Sequence, residues 1–481
     1  MHEPLDRVEP GTAVPVSGDE SPGLWTLFRQ AIRGTQMDYT KAPIGRAIFM
    51  LAIPMVMEMA MESIFVIADI FWVSHLGADA TATVGLTESM LTCIYAVAMG
   101  VSIGATALVA RRIGEGNPEG ASRAAMQSII LMLLLSAAIG TAGYIYADQL
   151  LALMGAPPSV IETGSSFTRV MLTGNATVML LFLINAIFRG AGDAAIAMRV
   201  LWFGNILNIV LGPLFIFGIG PFPELGVTGA AVATNIGRGS AVLYQVYTLL
   251  SGKSRITIHP RHFALDFGLI GRVLRLSGTG TLQILISTAS YVGVVRIVSG
   301  FGADAVAGYT IGIRLIIFAL LPSFGVSSAA ATMVGQNLGA NQPERAEEAV
   351  WKAAYYNMLF LGGLGLIFLI FADPLIGIFT QEPAVHAYGV TALRVISCGF
   401  VFYAYGMVLS QSFNGAGDTW TPTWINLFAF WLVELPLAWV LARPLGLGPL
   451  GVFIALAVAF STMAFVSAVL FKRGRWKTKK I

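Results

Sequence analysis

The sequence predicts an all-α membrane protein of twelve transmembrane helices, arranged as two pseudo-twofold-related six-helix bundles. Three observations carry this prediction: the composition, the number of long apolar runs, and an internal repeat. Of the 481 residues, 56% are hydrophobic and only 11% are charged, against roughly 25% charged in a soluble domain. Too few charges remain to cover a water-facing surface, which excludes disorder and a soluble multidomain chain. The two cysteines, Cys93 and Cys398, lie inside apolar runs and form neither a disulfide scaffold nor a metal cluster.

A helix needs about 20 apolar residues to cross the hydrocarbon core. Twelve segments qualify: 47–74, 84–108, 124–147, 166–188, 196–218, 227–250, 276–300, 305–332, 350–372, 389–412, 421–442 and 450–471. They are continuously apolar rather than alternating, which argues against a β-barrel. Residues 1–45 read as a polar N-terminal tail without a cleavable signal, and Ser21 to Gly34 as a short amphipathic stretch on the membrane surface. An N-lobe then occupies 46–250, a linker 251–275, a C-lobe 276–471 and a basic tail 472–481. His262 to Ser277 reads as an interfacial amphipathic helix entering the seventh span. Of the 29 Lys and Arg residues, Arg443 alone falls in the loops of one side, and Arg169, Arg238, Arg296, Arg314 and Arg394 fall within spans. All others, including Arg199 and Lys352 at span edges, fall on the side of the termini. The positive-inside rule therefore predicts a multi-pass protein of the cell (inner) membrane with both termini cytoplasmic. The net charge of +3 follows this topology and calls for no nucleic-acid partner.

The halves repeat. Phe188-Arg-Gly-Ala-Gly-Asp193 recurs as Phe413-Asn-Gly-Ala-Gly-Asp418, Ala105 to Asn117 is echoed by Ala330 to Asn341, and Arg169 by Arg394. Six spans per half is even, so both halves enter from the same side and are related by an axis along the membrane normal. Two facing bundles enclose a central cavity, and rocking one against the other alternates access. The Gly-Ala-Gly-Asp segments read as tight turns in which Asp caps the next helix; no strand precedes them and no Lys-Ser/Thr follows, so they are not phosphate loops.

Span 1 carries Glu58, Glu62 and Asp69. At 100° per residue the second and third lie about 40° and 20° from the first, so all share one face, with Glu58 and Asp69 roughly 16 Å apart along the axis. Each intramembrane charge costs at least ~2.5 kcal/mol and asks for a reason. Removal from water disfavours the charged form of a carboxyl, so such a column can load a proton or, with amide and hydroxyl oxygens, a hard monovalent cation. Glu88 and Asn185 are candidate neighbours. Pairing with Arg238, or hydrogen bonding across helices, is the alternative role for the acids.

On these features the chain resembles the multidrug and toxic compound extrusion (MATE) family of secondary transporters. The likeness spans residues 45–470 and rests on Leu51-Ala-Ile-Pro54, Ala68-Asp-Ile-Phe-Trp-Val-Ser74, the repeated Gly-Ala-Gly-Asp turns, and Val334-Gly-Gln-Asn-Leu-Gly-Ala340 followed by Pro343-Glu-Arg-Ala346. The resemblance implies export of amphipathic, often cationic drugs in exchange for H⁺ or Na⁺. Its N-lobe cation site would use Asp69, Asn208 in Leu207-Asn-Ile-Val-Leu-Gly-Pro213, and Thr234. The family usually places an Asp four residues after that Asn, where this chain has Gly212. Loss of one carboxylate weakens Na⁺ binding more than proton exchange, so H⁺ is the expected coupling ion and Na⁺ at Asp69, Asn208 and Thr234 the alternative. Glu62 and Glu58 are the further coupling candidates. Members with a C-lobe site often carry a Glu on span 7, but 276–300 contain no acid. The one C-lobe acid well inside a span is Glu434, near the repeat-equivalent of Asn208. It is a candidate second proton or cation-substrate site, or the partner of Arg314 or Arg394.

The 19 methionines suit an adaptable cavity or ordinary helix packing. Asn185, Met171 and Met179 are the cavity candidates, and Pro54, Pro213, Pro322 and Pro436 the candidate kinks. Expected partners are small organic cations or drugs and the lipid bilayer, and a monomer is expected. A lipid-linked oligosaccharide or lipid flippase is the alternative transporter. An enzyme is disfavoured because no metal-spaced His pair, HExxH or nucleotide loop occurs, and no cofactor is expected.

Overall fold

The computed structural model describes residues 23–34 and 37–481; most of the polar N-terminal tail lies outside the described residues. Within them the chain is helical, with no strand. A surface helix α1 (Leu24–Arg33) precedes α2 (Ile44–Ser74), α3 (Ala78–Gly114) and α4 (Pro118–Leu153), the first three spans. The fourth is broken into α5 (Pro158–Thr173) and α6 (Asn175–Ala191), and α7 (Ala194–Phe217) and α8 (Val227–Leu250) complete the N-lobe. The C-lobe comprises α9 (Phe267–Ser299), α10 (Ala303–Gly339), α11 (Pro343–Gly377), α12 (Pro383–Ser397) with α13 (Phe400–Gly415), a composite eleventh span, and α16 (Pro449–Lys472). That composite is α14 (Trp420–Asn426), a π-helical segment (Leu427–Glu434) and α15 (Leu435–Ala442).

Ten of these units are long and apolar enough to cross a membrane, and α12 with α13, bent by 58°, makes an eleventh. The twelfth, α8, is equally long as a helix but carries Asn235 and Arg238 and packs against α5, α6 and α7. Large apolar side chains such as Leu134, Leu243, Leu366 and Phe465 face outward, as a lipid-facing surface requires.

The repeat is visible in the helix limits. Ala78, Gly114, Pro118 and Pro158 bound helices in the first half as Ala303, Gly339, Pro343 and Pro383 do in the second. Proline suits the first helical position because its missing N–H would be unpaired there anyway. The ion pair Arg169–Asp148 at 3.1 Å is likewise repeated as Arg394–Asp373. In both Gly-Ala-Gly-Asp turns the second glycine has positive φ, +90° at Gly192 and +82° at Gly417, the conformation that ends a helix at least cost for glycine. The aspartates do not cap the next helix as expected. Asp193 accepts from the Ser254 hydroxyl at 2.7 Å and the Arg255 backbone N–H at 2.8 Å, and Asp418 accepts from Thr421 at 2.7 Å and pairs with Lys479 at 3.1 Å. Of the stretch His262 to Ser277, the first residues belong to a 3-10 turn (Pro260–Phe263), and from Phe267 on it runs into span 7 as the start of α9.

The two lobes meet on the face that carries both described chain ends. There α3 and α10 approach through glycine. A Cβ on Gly114 would sit 1.9 Å from the Gln336 carbonyl oxygen, and one on Gly339 2.3 Å from that of Arg111. Across the same seam Gln336 donates to the Gly190 carbonyl at 3.0 Å and Thr332 to that of Arg189 at 3.1 Å. The C-terminal tail lies over it. Trp476 is fully buried and stacked on Phe471 with ring centroids 4.5 Å apart, Lys477 pairs with Glu347 on α11 at 2.6 Å, and the Lys479 carbonyl accepts from Arg111 of the N-lobe at 2.8 Å. This face is closed. Gly114→Val is therefore expected to push the lobes apart there: overpacking costs about 1–3 kcal/mol, enough to change the ratio of closed to open molecules by about tenfold. Spin labels at Arg112→Cys and Gln342→Cys should report a longer distance in that variant. An unaltered distance distribution would show that the seam yields without opening.

Candidate functional site

The span-1 acids lie on α2, whose inward face packs on α7 of its own lobe and α10 of the other. Glu58 is fully enclosed. Its Oε1 accepts from Asn185 Nδ2 at 3.0 Å and from Arg189 Nη1 at 2.6 Å, while Oε2 has no partner among the described residues. Asn185 is itself fixed by Gln245, whose amide donates to its Oδ1 at 2.8 Å. One turn on, Glu62 accepts from Asn205 at 2.9 Å and pairs with Arg238 Nη2 at 3.4 Å. The Arg238 guanidinium sits 5.1 Å from the centre of the Phe65 ring and is within Coulombic reach of Glu88 and Asp69 as well. Two of the three column members are thus neutralised by arginines.

Asp69 differs. It is half-buried, and no hydrogen bond or ion pair joins it to another described residue. Asn208 Nδ2 donates to Thr234 Oγ1 at 3.0 Å, both side chains being buried. Trp72, three residues beyond Asp69, is the one described group a Cβ on Gly212 would meet, at 3.8 Å. Asp69 therefore lies about one helical turn before the α2–α7 contact at Gly212, where the space is open. The structure joins Asn208 to Thr234, and among the described residues no hydrogen bond links either of them to Asp69.

A cavity of about 310 Å³ opens between the lobes. Its walls are Met59, Met99, Phe182, Ile284, Leu321, Phe324, Tyr403 and Met407, with polar groups from Ser102, Thr106, Ser328, Gln411 and Asn414. Among the described residues, Arg189 is the one charged side chain on the wall. The cavity candidates are corrected here. Met171 and Met179 are buried in the N-lobe interior, Asn185 is occupied by Glu58 and Gln245, and none of the three lines the cavity. A methionine stripe on a helix flanked by neighbours on all sides is filling, and the adaptable methionines are those at the lobe seam.

Arg189 is the cavity-lining charge that sequence reasoning missed, because it sits in a segment that reads as a turn. The signal was present. Arg189 and Asn414 occupy the single position at which the two Phe-X-Gly-Ala-Gly-Asp copies differ, and both line the cavity. A repeat keeps what the fold needs in both halves and varies where the two walls face different tasks. Glu434 is buried, lies 3.1 Å from the Ser290 hydroxyl, and pairs with neither Arg314, which is exposed, nor Arg394, which is bound to Asp373.

Known proteins share this architecture. The MatE family model matches residues 54–214 and 281–440, one segment in each lobe. A probable multidrug resistance protein NorM of Thermotoga maritima is 28% identical over 91% of this chain and 94% of its own. An FAD transporter of Shewanella oneidensis is 28% identical over 82% of this chain and 88% of its own. Among solved structures, the outward-facing conformation of a multidrug resistance MATE family transporter superposes with a TM-score of 0.85 at 28% identity, covering 91% of this chain and 97% of that one. A transporter of the MOP superfamily from Pyrococcus furiosus, described as having a binding pocket of reversed polarity, gives 0.85 at 28% identity, covering 92% and 98%. Matched in both lobes over most of its length, this chain belongs to the MatE family.

Proposed function

We propose that this protein exports amphipathic, drug-like compounds across the cell membrane by alternating access, in exchange for protons. The single observation that carries the reading is Asp69: a membrane-depth carboxylate joined by hydrogen bond or ion pair to no described residue, on the helix α2 that packs on α7, in a lobe whose other span-1 acids are already matched by arginines. An acid so placed has a positive ion to gain, and taking it up changes the charge of the N-lobe. The closed face is the cytoplasmic one on the distribution of Lys and Arg, so cargo released in this state leaves outward. The absence of a carboxylate at Gly212 supports H⁺ over Na⁺ as the exchanged ion.

The cavity wall supports a broad cargo range, since thioethers and aromatic rings repack around different shapes. It does not favour organic cations: Arg189 is its one charge among the described residues, and Glu58 offsets it. A second reading is that the cargo carries an anionic group, favoured by Arg189 on the wall and by the FAD transporter among the relatives. Reconstitution in liposomes tests both. With an imposed pH gradient, but not a Na⁺ gradient, transport of a fluorescent amphiphile is expected. Comparing ethidium with FAD then decides the charge of the cargo. Transport that ignores both gradients would remove the antiport reading and favour a flippase or facilitator.

A further inference from the structure

The eleventh span holds an arrangement that the N-lobe coupling reading does not use. Leu427–Glu434 is π-helical, an uncommon winding that recurs at functional sites. Its last residue, Glu434, is buried at 4% exposure. The Ser290 hydroxyl of α9 stands between two acceptors, 3.2 Å from the Phe430 carbonyl oxygen and 3.1 Å from Glu434 Oε1. The Phe430 carbonyl is also the acceptor of the Leu435 N–H, an i to i+5 bond that closes the π segment.

A serine has one O–H proton and serves one acceptor at a time. If it donates to Phe430, its oxygen faces the carboxyl oxygen, and that contact is a hydrogen bond only when Glu434 carries a proton and donates it. If it donates to an ionised Glu434, it releases the Phe430 carbonyl. Both short distances are satisfied together by the order Glu434 to Ser290 to Phe430, with the proton on the carboxyl.

Among the described residues, no cation competes for that place. The elements packed on this segment contribute Ser290 from α9 and, within Coulombic reach, Tyr309 from α10 and Tyr403 from α13; α14 and α15 carry no charged residue. The charged residues of α9, α10 and α16, namely Arg272, Arg275, Arg296, Asp304, Arg314 and Lys472, are all exposed. The Tyr309 hydroxyl is buried without a partner among the described residues, and Tyr403 lines the central cavity.

We propose that Glu434, Ser290 and the Phe430 carbonyl form a proton-binding site of the C-lobe, in which loading or releasing one proton switches Ser290 between the carboxylate and the π-segment carbonyl. Tyr403 puts the site beside the cargo cavity, so the switch couples a second proton to the packing of span 11 on span 7. This rests on the proton-exchange reading for its role in transport, but not for its existence.

Infrared difference spectroscopy on the purified protein, titrated from about pH 5 to pH 9, reads the site directly. Among the carboxylic-acid C=O bands of the wild type, one is expected to be lost in Glu434→Gln while that of Asp69 stays, and the same band to be displaced in Ser290→Ala and retained near its place in Ser290→Thr. In liposomes Glu434→Gln should move one proton fewer per cargo. A difference spectrum unchanged by Glu434→Gln overturns the site, as does one unchanged by Ser290→Ala if the glutamine variant fails to fold. A wild type showing the band but no response to a pH gradient would leave the site standing and remove the exchange reading instead.

Discussion

Asp69→Asn is expected to abolish pH-gradient-driven transport, by at least about tenfold, while leaving expression and thermal stability at wild-type levels. The amide keeps the size and hydrogen-bonding capacity of the side chain and removes only the charge that can gain a proton. Asp69 is joined to no described residue by a hydrogen bond or ion pair, and Arg238, which feels its charge, keeps Glu62 as its paired acid. The same exchange at Glu62 changes a group already paired with Arg238 at 3.4 Å, and its effect should fall on stability as well as transport. Equilibrium cargo binding to Asp69→Asn should persist, since the cavity wall lies elsewhere. The measurement is dye efflux from liposomes under an imposed pH gradient, beside a melting curve. Efflux at the wild-type rate would remove Asp69 from coupling and leave the N-lobe without a free acid on span 1.

The second large effect is expected at the Glu58–Arg189 pair. Its side chains are 2% and 13% exposed and 2.6 Å apart. Removing one member of a buried pair strands the other and costs about 3–5 kcal/mol, whereas replacing both with uncharged groups of similar size is far less costly. Arg189→Met should therefore lower the melting temperature sharply, and the double variant Glu58→Gln with Arg189→Met should recover most of the loss. The two singles and the double together form a thermodynamic cycle. Because Arg189 also faces the cavity, the recovered double variant separates stability from cargo choice: if the cargo is anionic, its transport falls even though the fold is restored. Equal melting temperatures for all four proteins would show that the pair contributes nothing to the fold.

Much of this protein was legible in its composition. Twelve apolar runs gave the crossings, and the 225-residue repeat gave the two lobes, because burial in lipid demands long apolar helices whatever their neighbours. What escaped was the interruption of those runs. The fourth span breaks at Gly174 and the tenth bends by 58°; glycine within an apolar run barely alters hydropathy, so neither break leaves a compositional trace. The π segment was hidden for a related reason. Leu427–Glu434 is apolar nearly all round, and a stretch without a polar face carries no phase from which its winding could be read.

For the site, the sequence by itself determined which helix holds the acids and that they share a face, since 3.6 residues per turn fixes both. Asn208 and Thr234 came from the family resemblance, and the fold joins them at 3.0 Å. Only the tertiary structure decided which acids are spoken for. Arg189 lies 131 residues from Glu58, and Arg238 176 from Glu62, so whether a carboxylate meets a guanidinium depends on how α6 and α8 pack against α2. The physical reason is range. Helix formation and membrane insertion are set by residues within a few turns, whereas the charge state of a group held out of water is set by whatever the fold brings within a few ångströms of it.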